Sequence, residues 1–121
     1  MKLFILLGAI NMFLAISLGA FGAHGLEGKV SDRMLSNWQT GAHYHMIHAL
    51  ALLFIGLLID KIGPSPLVNV GGWLILAGIV LFAGSLYVLV LTNIKVLGAI
   101  TPIGGISFLT GWICIAIAAL R

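Results

Sequence analysis

Charge is what this sequence most lacks. Lys and Arg number six, Asp and Glu three, and charged residues make up only 7% of the 121 residues, against about 25% in soluble domains. Hydrophobic residues make up 61%, and the mean hydropathy is +1.20. So few charges cannot cover a water-facing surface, and they also exclude disorder, coiled coil, collagen and nucleic-acid binding. The composition predicts a membrane protein whose main partner is the lipid bilayer.

Cysteine and proline are scarce as well. The single cysteine, Cys114, excludes an internal disulfide framework and any metal site built from several cysteines. Two of the three prolines lie in Gly63-Pro64-Ser65-Pro66, which predicts a stiff turn. A length of 121 residues has room for one domain, so we expect a single integral membrane domain over 1–121.

The few charges divide the chain into four charge-free runs. They cover 3–26, 34–59, 62–94 and 96–120, and their lengths are 24, 26, 33 and 25 residues. A helix crosses the hydrocarbon core in ~20 residues, so each run can cross once but not twice. Backbone exposed to lipid must satisfy its own hydrogen bonds, which favours helices. We therefore predict an all-α membrane protein, a bundle of four transmembrane helices near 3–23, 40–60, 68–92 and 97–120.

The first run also resembles a signal peptide. Lys2 precedes an apolar stretch that ends in the small residues of Ala20-Phe21-Gly22-Ala23. The run is long, however, contains Asn11 near its middle and is followed by three further spans. We interpret it as the first transmembrane helix.

The connection before the second span is predicted to contain a short interfacial helical segment. Ser31 and Asp32 form an N-cap signal, and Met34, Leu35 and Trp38 follow at helical spacing. The second helix should therefore begin near Asp32, with its first two turns at the membrane interface. Trp38 is expected at the level of the lipid headgroups.

Four spans place both termini and the 61–67 connection on one membrane face. Each face carries three cations: Lys2, Lys61 and Arg121 at the terminal face, and Lys29, Arg33 and Lys95 at the opposite face. By this count the positive-inside rule favours neither orientation. The positive charge of the free amino terminus favours cytoplasmic termini.

Polar side chains converge on the face opposite the termini, which we call the polar end. The candidate pocket there consists of His24, Tyr44, His45, His48, Ser85, Tyr87 and Thr101. The sequence Thr101-Pro102-Ile103-Gly104-Gly105 also lies near this end, and it predicts a kink or break inside the fourth span. The other half of the bundle has almost no polar side chains.

These same residues resemble a known family. Gly19-Ala20-Phe21-Gly22-Ala23-His24-Gly25-Leu26, the Tyr44-His45-x-x-His48-Ala49-Leu50 segment, Gly84-Ser85-Leu86-Tyr87 and Gly111-Trp112 are similar to the domain-of-unknown-function 423 family of small four-span membrane proteins (YgdD/YwdK-like). Ala83 departs from the serine expected before Gly84. The resemblance implies a multi-pass protein of the cell membrane and carries no established activity.

Several functions are compatible with the polar end. The leading hypothesis is a non-enzymatic binding or assembly role, with the histidines as hydrogen-bonding groups between helices. The alternative is a metal or haem site formed by His24, His45 and His48, because imidazole is a common metal ligand. A small-solute or proton transporter is the third hypothesis, because the half of the bundle near the termini has too few polar side chains to form a path across the membrane. Ser85 and His48 lack a third orienting residue, so an enzyme is not predicted.

Small residues form stripes on two helices. Ala15, Gly19 and Ala23 lie on one side of the first helix, and Gly71, Gly72, Gly78 and Gly84 recur on the third. Such stripes allow close approach between helices. They indicate either packing within the chain or contact with a second copy or another membrane protein.

Overall fold

The chain folds into four long apolar helices. The structure is a computed structural model that describes residues 2–121, and over that range it contains α1 (Lys2–Leu26), α2 (Asp32–Ile62), α3 (Pro66–Thr92) and α4 (Lys95–Ala119). Each helix is long and apolar enough to cross a membrane, and no strand occurs in the described range. The prediction of an all-α, four-span membrane protein is confirmed.

Local signals set the helix ends. Ser31 caps α2, because its Oγ accepts a hydrogen bond from the Met34 N–H at 3.1 Å. Ser65 caps α3 in the same way through Val68, and Pro66 occupies the first turn, where a missing N–H does no harm. The predicted start of α2 at Asp32 is confirmed, and the helical segment predicted before the second span forms the first turns of this continuous helix.

Three turns depart from regular α-helix. A π-helical turn, Gly22–Leu26, ends α1, and a second, Ile79–Ala83, lies in the middle of α3. A 3₁₀ turn, Lys95–Ala99, begins α4, and regular helix runs from Thr101 onward. Pro102 therefore occupies the first turn of regular helix, where proline is well tolerated. The predicted kink inside the span is wrong, and the irregular backbone lies just before it.

Two hydrophobic clusters form the interior, one in each half of the bundle. The first joins all four helices and consists of Phe4, Ala51, Leu52, Ile55, Val68, Ile75, Ile79 and Phe108. The second lies at the polar end and consists of Leu26, Trp38, Ala42, Ala83, Tyr87 and Val90. Apolar side chains such as Phe13 and Leu109 remain exposed on the outside, where we expect lipid.

Trp38 lies inside the protein. Its side chain is 1% exposed, and its indole Nε1–H donates a hydrogen bond to the Leu18 carbonyl on α1 at 2.7 Å. Its ring also packs against Tyr87, with centroids 4.7 Å apart. Trp38 therefore packs within the bundle and does not face lipid, and its expected depth at the level of the headgroups stays a prediction.

Two glycines of α3, Gly72 and Gly78, serve packing inside the chain. The Phe4 ring of α1 lies against Gly72, and the Phe108 ring of α4 lies against Gly78, so close that a Cβ would clash. On α4, Gly104 meets the backbone of Leu81 and Phe82 in the π-helical turn. These contacts need small residues because the opposing atoms occupy the space of a side chain.

Candidate functional site

His45 connects three helices through both of its ring nitrogens. Its Nδ1 lies 3.0 Å from the Tyr87 hydroxyl on α3, and its Nε2 lies 3.0 Å from Oδ1 of Asn11 on α1. The Asn11 amide nitrogen donates in turn to the Leu7 carbonyl at 2.8 Å. The side chains of His45 and Tyr87 are 3% and 8% exposed, whereas Asn11 at the other end of this chain of hydrogen bonds is half-buried.

The network assigns the proton of His45. Since Asn11 donates its N–H to Leu7, the amide oxygen faces His45 and can only accept. His45 therefore donates from Nε2, and in the neutral ring Nδ1 accepts the hydroxyl proton of Tyr87. Every polar atom in the chain from Tyr87 to Asn11 then has a matched partner.

His48 connects α2 to α4 with the opposite arrangement. The indole Nε1–H of Trp112 points to Nε2 of His48 at 3.1 Å, and an indole N–H can only donate. Nδ1 of His48 lies 2.8 Å from the carbonyl of Tyr44, which can only accept. His48 is thus neutral, with its proton on Nδ1. Its ring also stacks on Phe108, with centroids 3.6 Å apart and planes 10° apart.

Hydroxyl groups join α3 to α4. Ser85 Oγ donates to the Phe82 carbonyl at 2.9 Å and lies 2.6 Å from Oγ1 of Thr101. Either hydroxyl can donate to the other, since each also lies within reach of a carbonyl on its own helix, Phe82 for Ser85 and Leu97 for Thr101. Ser107 adds a second link, since its hydroxyl donates to the Leu74 carbonyl at 2.6 Å.

The predicted pocket residues do not form one group. His45 with Tyr87, His48 with the Tyr44 carbonyl, and Ser85 with Thr101 form three separate contacts. The Tyr44 ring is 41% exposed. His24 is exposed near the end of α1. Over residues 2–121 every fully buried side-chain nitrogen or oxygen has a hydrogen-bond partner, and the His45–Tyr87 and Ser85–Thr101 contacts each join two helices.

The candidate metal ligands have other partners in this arrangement. No three His, Cys, Asp or Glu side chains within residues 2–121 lie together as metal ligands would. Both ring nitrogens of His45 and of His48 are already hydrogen-bonded, and His24 is exposed. A metal bound there would have to displace Tyr87, Asn11 or Trp112.

Two residues outside the predicted pocket, Asn11 and Trp112, take part in these contacts. Asn11 bonds His45, and Trp112 bonds His48. A polar side chain near the middle of a span was the available signal for Asn11. Nothing in the local sequence pairs Trp112 with His48, because the two lie 64 residues apart.

A cleft of about 830 Å³ opens at the polar end. Its walls come from the start of α2, the end of α3 and the start of α4, and they consist of Val30, Ser31, Arg33, Met34, Asn37, Leu86, Leu89, Val90, Asn93, Lys95, Gly98, Thr101 and Pro102. The volume lies within the ~300–1,000 Å³ that is usual for small-molecule sites. Of the predicted pocket residues, Thr101 lines this cleft.

Comparison with known proteins identifies relatives over the whole chain. The family model described as "Protein of unknown function (DUF423)" matches residues 18–105. UPF0382 membrane protein YwdK of Bacillus subtilis is 57% identical over 121 residues, which cover 100% of this chain and 98% of the relative. UPF0382 membrane proteins SAB0533 of Staphylococcus aureus and SERP0230 of Staphylococcus epidermidis are 58% and 54% identical over the same shares. No solved structure gives a significant match.

Proposed function

The chain belongs to the DUF423 family of membrane proteins of unknown function, and from this premise we propose that it is a non-enzymatic binding protein of the membrane. Binding takes place in the cleft at its polar end, and the ligand is a small amphipathic molecule or a segment of a partner. The cleft carries this proposal, because it presents polar and apolar groups side by side. Asn37 and Asn93 line it together with Leu89 and Val90.

The interior network supports a binding role over a catalytic one. His45, His48 and Ser85 are buried, and their polar atoms bond other helices. A nucleophile with its base, or a metal with its ligands, needs groups that face a substrate. The cleft, in contrast, presents exposed polar groups such as Arg33 and Asn93 to a ligand.

The histidines contribute by holding the walls of the cleft. His45 bonds Tyr87 on α3, and Tyr87 lies between Leu86 and Leu89 of the cleft in sequence. Ser85 bonds Thr101, which itself lines the cleft at the start of α4. Hydrogen bonds at these positions fix the separation of α2, α3 and α4, so the cleft keeps its shape when empty.

The test is to fill the cleft and look for loss of a bound molecule. Gly98 lines it, and nothing lies within 4 Å of the position that a Cβ would occupy there, so Gly98→Trp adds bulk without an immediate clash. Val96→Trp is the matched control, because Val96 lies in the same 3₁₀ turn, is 68% exposed and is not part of the cleft. Each protein is extracted in mild detergent from its native host and analysed by native mass spectrometry.

We expect wild type and Val96→Trp to retain the same bound lipid, small molecule or protein, and Gly98→Trp to lose it. Equal retention by all three proteins contradicts the proposal, as does a wild-type protein that retains nothing. Helical content measured by circular dichroism confirms that Gly98→Trp is folded.

A location in the cell membrane with both termini cytoplasmic completes the proposal. The six cations divide three to three between the faces, so this orientation is part of the proposal and is tested by labelling of introduced cysteines. The cleft then opens on the outer surface. Assembly with a second copy or another membrane protein through the exposed apolar sides remains part of the proposed binding role.

A further inference from the structure

The charged side chains that line the cleft are all basic. Arg33 at the start of α2 and Lys95 at the start of α4 both line it, and no carboxylate does within residues 2–121. The two cations come from different helices and are exposed, so both are accessible to an anion that enters the cleft. Asn37 and Asn93 add amide groups that can donate hydrogen bonds to an anion.

The remaining wall is apolar. Met34, Leu86, Leu89, Val90 and Pro102 line the same cleft, and the three residues of α3 are buried in the bundle. A free inorganic anion gains nothing from such a wall. A ligand with an anionic head and a hydrocarbon body fits both parts, because burial of its apolar surface adds to the attraction between charges.

The cleft lies at a depth in the membrane where ligands with an anionic head and a hydrocarbon body are present. Arg33 and Lys95 lie beside the apolar stretches of α2 and α4, which places them at the boundary between hydrocarbon and water. The phosphates of phospholipids lie at the same depth. Basic side chains between helices at this level are a recurring way to hold anionic headgroups.

We propose that the cleft binds an anionic phospholipid, with the phosphate between Arg33 and Lys95 and the upper acyl chain against Leu86 and Leu89. This inference rests on the proposed binding function and specifies its ligand. The cleft volume of about 830 Å³ takes the headgroup and the adjoining part of the lipid, and the remaining acyl chain lies in the bilayer.

The experiment compares defined lipids on purified protein. Phosphatidylglycerol and phosphatidylcholine with identical acyl chains are titrated into delipidated protein in detergent, and binding is followed by native mass spectrometry. Arg33→Gln/Lys95→Gln removes the two cleft cations. Lys29→Gln/Lys61→Gln removes two cations that do not line the cleft, so both variants lose the same net charge.

We expect wild type to prefer phosphatidylglycerol. The cleft variant should lose at least about tenfold in affinity for it, since each cation near anionic lipid contributes about fivefold. The control variant should lose less than about twofold, because exposed charges outside the site are screened by salt. Rising ionic strength should weaken binding of phosphatidylglycerol and leave phosphatidylcholine unchanged.

Four results overturn the lipid assignment. Equal affinity for phosphatidylglycerol and phosphatidylcholine would show that the anionic headgroup is not recognised. An equal loss of affinity in the cleft variant and the control variant would indicate diffuse electrostatic attraction to the protein surface. If inorganic phosphate or glycerol 3-phosphate competes at the same concentration as the intact lipid, the ligand is a soluble anion. If Gly98→Trp releases a different molecule, the binding function stands and the lipid assignment fails.

Discussion

His45 and His48, one helical turn apart on α2, carry their ring protons on opposite nitrogens. His45 donates from Nε2 to Asn11, while His48 donates from Nδ1 to the Tyr44 carbonyl. The acceptors differ because one ring faces α1 and α3 and the other faces α4. The pair therefore joins α2 to every other helix of the bundle, through Asn11, Tyr87 and Trp112.

Replacing Trp112 with phenylalanine should weaken the contact between α2 and α4. Trp112→Phe keeps an aromatic ring but leaves Nε2 of His48 without a donor, so we expect a loss of about 0.6–1.5 kcal/mol in the free energy of unfolding. Trp73→Phe is the matched control, because Trp73 is 46% exposed and its ring packs against Phe4. Unfolding in mixed micelles measures both, and equal losses contradict the assigned role of Trp112.

The contacts of Asn11 and Tyr87 should be energetically coupled through His45. Asn11→Ala and Tyr87→Phe each remove one partner of the ring, so their effects should differ from additivity by about 0.5 kcal/mol or more. The free energy of unfolding of the two single variants, the double variant and wild type gives this coupling. Ser107→Ala combined with Tyr87→Phe should be additive, since Ser107 bonds the Leu74 carbonyl. Additivity in the first cycle contradicts a continuous network.

Two adjacent glycines should differ sharply in tolerance. A Cβ on Gly104 would collide with the backbone of Leu81 and Phe82, whereas a Cβ on Gly105 would lie 3.9 Å from the Phe82 ring. Gly104→Ala should therefore destabilise the protein by about 1–3 kcal/mol, as overpacking does. Gly105→Ala should leave the melting temperature nearly unchanged. A reversed order contradicts the close approach of α4 to α3.

Purified protein should contain no stoichiometric iron, copper or zinc. His45 and His48 are hydrogen-bonded through both nitrogens, and no cluster of three metal-binding side chains occurs in the chain from residue 2 onward. Elemental analysis of protein purified without chelator is compared with a His45→Ala/His48→Ala variant. Near-stoichiometric metal that the variant lacks would favour the metal or haem hypothesis, with His24 as the next ligand to test.

Both termini should be cytoplasmic. In a Cys114→Ala background, Glu27→Cys and Pro64→Cys place one exposed thiol on each face without removing a cation. A membrane-impermeant maleimide applied to intact cells should label Glu27→Cys and leave Pro64→Cys unlabelled until the cells are opened. The reverse pattern inverts the orientation and places the cleft on the cytoplasmic side.

The number and type of helices follow directly from the sequence. Charged residues are so rare that they mark the ends of the apolar runs, as Lys2, Asp60, Lys61 and Lys95 do. An apolar run that crosses a membrane must satisfy its own backbone hydrogen bonds, so each run is predicted to be a helix. The start of α2 was also predictable, because an N-cap depends on residues within one turn. These features are local and need no knowledge of which helices touch.

Side-chain pairing could not be predicted in the same way. A tryptophan near a helix end is typical of both an interface belt and a packed interior, and only the Leu18 carbonyl places Trp38 inside. Pro102 likewise suits a kink or a first turn, and the distinction depends on where regular helix begins. Asn11 on α1 contacts His45 on α2, and the sequence around each residue does not indicate which residue of the other helix it contacts.

The π-helical turn at Ile79–Ala83 also determines where the chain tolerates changes in length. A π turn contains one residue more than an α turn, so deletion of one residue there restores regular helix and leaves both flanking segments facing as before. Deletion elsewhere in α3 rotates everything beyond it by about 100°. Such a rotation would separate Tyr87 from His45. Among homologues, single-residue gaps in the third helix should therefore cluster at this turn.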